Sequence, residues 1–260
     1  MGRMLLEAIT EGEAACVLAA AIVHPGSSLV DTDAGELLGG DALGARVTDD
    51  LSLVVSEIDV LIDFTVPEAT LAHSQICAEH GVPMVIGTTG FTDDQRARLH
   101  SITAALAVCQ SPNFAPGVNL TFQLVKAAAK ALGDSVDVEI VEAHHRNKID
   151  APSGTALSLG EAVARAMGRD LADVAVHSRS GRTGDRPRNA IGFSSIRAAD
   201  IVGDHTVIFA GDGERLEITH RASSRRAFAN GAVTAACWLV KQPAGQYDMQ
   251  DALTKQESAR

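Results

Sequence analysis

The sequence predicts an α/β protein in which a parallel-sheet domain is interrupted by an inserted α+β domain. Three observations point there. Short apolar strands alternate with helical segments through the first 115 residues, a pattern that packs as a parallel sheet covered by helices. From Val174 to Thr219 the pattern turns to strands joined by tight turns. Helical spacing then returns from Phe228 to Val240. The expected division is residues 1–115 completed by 226–260, with 116–225 as the inserted domain.

The elements follow in order. Ala15 to Val23 is an apolar run ending at His24-Pro25-Gly26, and a Gly-, Ser- and Asp-rich loop spans Gly26 to Gly44. Val60 to Phe64 reads as a buried strand. Pro67-Glu68 opens a helix to about His80, since proline is at home in a first turn, and Gly81 stops it. Val82 to Ile86 is a strand ending in Gly87-Thr88-Thr89-Gly90. Thr92 with Gln95 three residues on is a capping box, predicting a helix to about Ala105. Leu106 to Cys109 is a strand ending at Ser111-Pro112-Asn113-Phe114. A helix from about Val118 to Leu132 precedes the alternating strand Val136 to Val141, and Thr155 to Met167 is helical. Ile191–Arg197, Asp204–Ala210 and Glu214–Thr219 read as strands, with Gly211-Asp212-Gly213 as a hairpin turn. Ser178 to Asn189, which holds Arg179, Arg182, Arg186 and Arg188, reads as a mobile or interface loop.

Composition excludes several classes. A hydrophobic content of 46% with 21% charged residues fits a soluble globular chain. A formal charge of −11 and 3% aromatics argue against nucleic acid and membrane surfaces. No apolar run reaches a membrane span, and no signal-peptide pattern opens the chain. Cys16, Cys77, Cys109 and Cys237 are scattered without a C-x-x-C pair. That predicts reduced core thiols in a cytoplasmic protein, with neither a disulfide framework nor a zinc site. His24, His73, His80, His100, His177, His205 and His220 lack metal-ligand spacing, so no metal is expected.

The densest chemistry lies in Glu142 to Ala156, E-A-H-H-R-N-K-I-D-A-P-S-G-T-A. His144, His145, Arg146 and Lys148 leave a strand end and face a helix start with Ser153 as its N-cap. Unpaired N–H groups and the dipole at a helix N-terminus suit an anion. On an acidic chain this suggests a pocket for a small, multiply negative substrate with proton donors beside it. Surface histidines, solvated cations and an ordinary cap would read alike, so the letters alone leave both open. Gly87–Thr89 and Ser111–Phe114 lie at carboxyl ends of strands, where open parallel sheets bind ligands. There glycine permits close approach of a flat ring and threonine hydroxyls can meet ribose or carboxamide groups. Ordinary strand-end turns would look the same.

The cluster closely resembles the signature of the 4-hydroxy-tetrahydrodipicolinate reductase (dihydrodipicolinate reductase) family of lysine and diaminopimelate biosynthesis. The likeness extends through Val60-Leu-Ile-Asp-Phe-Thr65, Gly87-Thr-Thr-Gly-Phe91, Asn113-Phe114 and Phe228-Ala-Asn-Gly-Ala232, and covers nearly the whole chain. It implies a Rossmann-like first domain, a substrate and oligomerisation domain, a homotetramer, and NADPH or NADH as cofactor. Gly87, Thr88, Thr89, Ser111, Pro112, Asn113 and Phe114 match positions lining the nicotinamide nucleotide site. The implied reaction is hydride transfer to C4 of a cyclic, unsaturated dicarboxylate with loss of water. His144 matches the general acid, Lys148 a second proton donor and His145 a substrate contact. Gly154 and Thr155 match the holders of one carboxylate. Packed beside Arg146 and Lys148, the imidazoles should have lowered pKa values in the empty site. Asp150 is read as orienting the loop, Asp63 as structural or at the cofactor edge, and Asp31 and Asp33 as solvated. Asn230-Gly231 is read as preceding the last helix and either approaching the cofactor or capping that helix.

The chain departs from the family at its start. Met1-Gly2-Arg3-Met4-Leu5 matches only the end of the family's glycine-rich loop and the helix behind it. The first strand and its phosphate-cradling glycines have no counterpart, which predicts unpaired neighbouring strands and weak dinucleotide binding. A start assigned at an internal Met accounts for this better than a real truncation. The alternative is a truncated, non-catalytic homologue that binds substrate or partners but not cofactor. A different two-domain nicotinamide oxidoreductase, such as an amino-acid dehydrogenase, is disfavoured by the His-His-Arg-x-Lys cluster. Val23-His24-Pro25 stands where a residue usually meets the adenine ribose. With no carboxylate there, His24 tolerates a 2′-phosphate and the choice between NADPH and NADH stays open.

Overall fold

Residues 1–12 and 16–254 are described in the computed structural model. Two units emerge: Met1–Pro116 with the segment from Arg225 on, and Gly117–Ser224. In the first unit, helix α1 (Gly2–Thr10) buries Leu5, Leu6 and Ala8. Strand β1 (Ala20–Ile22) leads through helix α2 (Ala34–Leu38) to β2 (Arg46–Thr48), with which it pairs in parallel. Of the expected strand from Ala15 only this stretch forms, and Ala15 itself lies outside the described residues. The 26–44 stretch is not all loop. Asp33, expected to be solvated, caps α2 and accepts the N–H groups of Gly35, Leu43 and Gly44 at 2.7, 2.8 and 2.8 Å. Bonds from the Leu43 and Gly35 backbone hold its carboxyl below the ordinary value. Asp31 pairs with Arg46 at 2.7 Å.

Strand β3 (Leu61–Asp63) precedes helix α3 (Pro67–His80), which begins at its proline and ends at Gly81, where φ is +70°. That left-handed conformation costs glycine least. Strand β4 (Met84–Ile86) leads to helix α4 (Asp93–Ile102), whose Thr92–Gln95 capping box forms as expected. Strand β5 (Ala107–Gln110) completes the run. β3, β4 and β5 pair in parallel. Alternate residues enter different cores, which explains the unbroken apolar lettering. Met84, Ile86 and Val108 pack with Leu71, Cys77 and Leu99. Val85 and Cys109 pack with Leu5, Ala8, Val233 and Leu239.

The second unit holds α5 (Pro116–Leu132, its first residue on the boundary), β6 (Asp137–His144), α6 (Gly154–Ala166), α7 (Leu171–Val174) and β7 (Ala175–Val176). Strands β8 (Ile191–Arg197), β9 (Gly203–Gly211) and β10 (Glu214–Ala222) follow. The sheet order is β10-β9-β6-β8-β7, with β6 parallel to β8 and antiparallel to β9. Val138, Ile140, Ile191, Phe193, Val207 and Phe209 share one face, packed on Val125 of α5 and on Leu159 and Val163 of α6. The Arg-rich stretch is anchored rather than loose. Arg186 donates to Glu139, Asp137 and the carbonyls of Val138 and Ala190 at 2.7–2.9 Å, and Arg179 forks onto Glu139 at 2.9 Å.

Helix α8 (Arg226–Leu239) returns to the first unit, followed by β11 (Gly245–Tyr247) and α9 (Met249–Thr254). β11 pairs in parallel with β5, giving a sheet of order β11-β5-β4-β3, while β1 and β2 form a separate sheet. Cys16 and Cys237 form a disulfide across 221 residues of sequence. This overturns the expectation of four reduced thiols. Cys77 and Cys109 are free and buried, and burial pushes each thiol up to about 12. Among the described residues, no helix is long and apolar enough to cross a membrane.

Candidate active site

Strand β6 runs further than its sequence pattern suggested, and its last turns of pleat carry the chemistry. Glu142 and His144 are two residues apart, so they share a face. That face is the one packed under the helices, and both are buried, at 1% and 8% exposure. A buried carboxylate needs partners, and Glu142 has them. Arg197, the last residue of β8, forks onto both its oxygens at 2.8 Å. The Ser153 N–H reaches Oε1 at 3.2 Å, and His144 Nδ1 lies 2.6 Å from Oε2. Burial would raise the Glu142 pKa, but Arg197, Ser195 and His144 outweigh it and hold it at about 2. An ionised carboxylate only accepts, so Nδ1 of His144 donates. Nε2 is left facing Gly203, where an added Cβ would sit 3.1 Å away.

The neighbouring strand adds His205, directly opposite Glu142 in the β6–β9 register. Its ring meets that of His144 edge-on with centroids 5.1 Å apart, and its Nε2 lies 2.9 Å from Ser153 Oγ. Burial, then the charge of His144, lowers the His205 pKa to about 4, so this imidazole is neutral near pH 7. Ser153 caps α6 as expected, accepting the Ala156 N–H at 3.2 Å. Gly154 and Thr155 are therefore the first residues of the helix, and their N–H groups have no intrahelical acceptor. A Cβ at Gly154 would meet nothing within 4 Å, so this helix start is open.

In the intervening loop, Lys148 Nζ donates to Asp150 Oδ1 at 2.8 Å. His145 is half-buried and Arg146 exposed. The charged group touching His144 is Glu142; on the paired strands β9 and β10, burial lowers the imidazoles of His205 and His220. Glu142 and Arg197 are the residues that sequence reasoning passed over. A carboxylate in phase with the buried side of β6 was the signal for Glu142. Nothing local marks Arg197, 55 residues away along the chain.

In the first unit, the loops after β4 and β5 lie side by side, since Ser111 N–H donates to the Ile86 carbonyl at 3.2 Å. A side chain at Gly87 would run into the ring of Phe64, which itself packs on Phe114 with centroids 5.5 Å apart. The aromatic ring that Gly87 admits here is the protein's own. The Thr88 hydroxyl turns inward, to Thr70, Asp63 and the Thr65 N–H at 2.8–3.2 Å, so it is not free for ribose. Thr89 is exposed. Asp63, at 2% exposure, gathers Thr65, Thr70, Thr88 and His73 and ties the ends of β3 and β4 together. Ser111 Oγ donates to the Asn113 carbonyl at 2.8 Å, and Asn113 Oδ1 accepts the Ala115 N–H at 2.9 Å. Pro112 is exposed and Phe114 buried. Gly231 lies inside α8, with no room for a side chain against the Phe114 carbonyl. It neither caps α8 nor precedes it. His24 is exposed just beyond β1, its Nδ1 3.1 Å from the Pro25 carbonyl oxygen. Among the described residues, no group of three or more His, Cys, Asp or Glu is placed to hold a metal.

A parallel sheet with loops at its strand ends, and a second unit with a carboxylate-oriented imidazole beside an open helix start, define a two-domain oxidoreductase of the dinucleotide-binding class. The family profile "Dihydrodipicolinate reductase, N-terminus" matches residues 1–114 and "Dihydrodipicolinate reductase, C-terminus" matches residues 117–253. The chain belongs to the dihydrodipicolinate reductase family. It is 54% identical over 253 residues to the 4-hydroxy-tetrahydrodipicolinate reductase of Saccharophagus degradans, covering 97% of this chain and 94% of that one. For the protein of the same name from Alkalilimnicola ehrlichii, identity is 56% with the same coverage. Among solved structures, the dipicolinate-bound dihydrodipicolinate reductase from Paenisporosarcina sp. TG-14 superposes with a TM-score of 0.74 at 27% identity, covering 96% of this chain and 94% of that one. An amine dehydrogenase from Mycobacterium smegmatis, at 15% identity and a TM-score of 0.56 over 96% of this chain and 93% of that one, shares the fold alone.

Proposed function

We propose that the protein reduces 4-hydroxy-tetrahydrodipicolinate to tetrahydrodipicolinate with NADPH or NADH, releasing water, in lysine and diaminopimelate biosynthesis. The observation that carries this is the buried His144, held through Nδ1 by Glu142 in the same unit as Lys148 and the open α6 start. A reduced nicotinamide, when bound, supplies the hydride that takes the place of the C4 hydroxyl. The loops Gly87–Thr89 and Ser111–Phe114, with His24, fit the dinucleotide, because they stand at carboxyl ends of parallel strands. Gly87 and Gly231 keep side chains out of that packing. Thr88 contributes through the shape of its loop, since its hydroxyl is already bonded.

The remaining steps belong to the chain's own residues. The departing hydroxyl needs one proton to leave as water, and a positioned acid supplies it best. In its doubly protonated form His144 delivers the proton on Nε2, the nitrogen Glu142 leaves free, and returns to the neutral ring with its proton on Nδ1, with Lys148 as second donor. The N–H groups of Gly154 and Thr155 hold one substrate carboxylate and His145 contacts the substrate. The bound dipicolinate of the Paenisporosarcina relative supports a small cyclic dicarboxylate. The dicarboxylate would compete with Asp150 for Lys148, releasing the amine only when substrate arrives. A homotetramer is proposed from the family resemblance.

His144→Gln and Lys148→Ala should each lower kcat by roughly 10²- to 10⁴-fold. Titration calorimetry of NADPH and NADH should give unchanged affinities for both variants. Wild-type turnover in both variants would sink the reading.

A further inference from the structure

We propose that Arg197 is the positioning residue that aligns both proton-donating side chains, His144 and Lys148, at once. The inference rests on the reading that those two residues deliver the proton. Arg197 makes four bonds in two directions. One side of its guanidinium forks onto Glu142 with both contacts at 2.8 Å, and Glu142 holds His144 Nδ1 at 2.6 Å. The other side reaches the Asp150 carbonyl at 2.6 Å, while Nη1 also donates to its neighbour's carbonyl, Ile196, at 2.7 Å. Asp150 in turn holds Lys148 at 2.8 Å. One planar group therefore fixes the end of β6 and the loop beyond it.

The chemistry needs a guanidinium there. Two parallel N–H bonds set the plane of the Glu142 carboxylate, which an ammonium cannot do. The plane of that carboxylate sets the imidazole ring, and its charge makes Nδ1 the donor. The groups facing His144 are Glu142 on its own strand, Arg197 on β8, and His205 with the Gly203 backbone on β9. Lys148 lies on the loop that follows. Of these, only Arg197 bonds to the supports of both donors. Its side chain is 20% exposed, so water at its edge does not replace the fork.

Arg197→Lys keeps the charge and loses the fork. We expect its kcat to fall about 10- to 100-fold, the cost of donors misplaced by a fraction of a bond length. Substrate KM should stay within about threefold, as should the affinity for NADPH. Arg197→Met should be worse than Arg197→Lys in kcat, with dinucleotide affinity again unchanged. Because either variant could fold poorly, the wild type carries its own test. Nitrogen-15 NMR should place the proton of neutral His144 on Nδ1. A proton on Nε2, or full kcat in both Arg197 variants, would overturn the role assigned to Arg197. Full kcat in the Arg197 variants with turnover lost in His144→Gln would leave the proposed reaction standing. Full kcat in His144→Gln would instead remove the reaction on which the inference rests.

Discussion

His205 spends its ring on holding Ser153, and burial keeps it uncharged. That environment makes the second unit sensitive to acid. The folded-state pKa is lowered to about 4, against about 6.5 for an exposed imidazole. The folded form thus binds fewer protons, and its stability is complete above the unfolded value. As pH falls from about 6.5 towards 4, stability should drop by up to about 1.4 kcal/mol per pH unit. Glu142, held at about 2, acts in the same direction at lower pH, from its ordinary carboxylate range downwards. Urea midpoints measured from pH 7 to 4 should fall in wild type and stay flatter in His205→Leu. An unchanged slope in that variant would show that the acid sensitivity arises elsewhere. At this scale, what the sequence disclosed was local. His144, Lys148 and Ser153 sit within ten residues of one another and could be read together. Arg197 and His205 reach the same spot only through strand pairing, which no short window contains.

The elements with chemical punctuation were readable: α3 between its proline and Gly81, α4 behind its capping box, and the β9–β10 hairpin at its Gly-Asp-Gly turn. The elements without it were not. β11 is Gly-Gln-Tyr, which has no apolar alternation, and it is a strand because β5 offers it an edge. α2 hides in a Gly- and Asp-rich stretch because its cap bonds reach as far as Gly44. The sheet of the second unit raises a different matter. Its helices cover one face, whereas Val141, Ile196 and Ile208 point to the other by strand alternation. Ile196 is 48% exposed there. If that face joins copies of the chain, a charge within it is costly. Light scattering should give a tetramer for the wild type and smaller species for Ile196→Lys. A wild-type monomer would dismiss the assembly.

Over the whole chain, a pattern of alternating then strand-rich segments conveyed two kinds of architecture, because burial on two faces and on one leave different lettering. It did not convey the disulfide, whose halves lie in a segment after α1 and within α8, nor which strands share a ladder. Sheet membership is decided by hydrogen bonds between distant backbones, and there the first unit is divided. β1 and β2 rest on one side on three fully buried small residues, Ala34, Ala45 and Val47, with Ala20 and Ile22 of β1 turned to the larger core and three paired residues per strand. β3, β4, β5 and β11 lie between two large cores. Local opening is governed by how much apolar contact and pairing must be broken. The β1–β2 ribbon, with His24 just beyond β1, is thus expected to open ahead of the larger sheet. In deuterium exchange, amides of residues 20–48 should label well before those of β4 and β5, and adding NADPH should slow that early phase selectively. Equal labelling of both regions would mean the two sheets open as one.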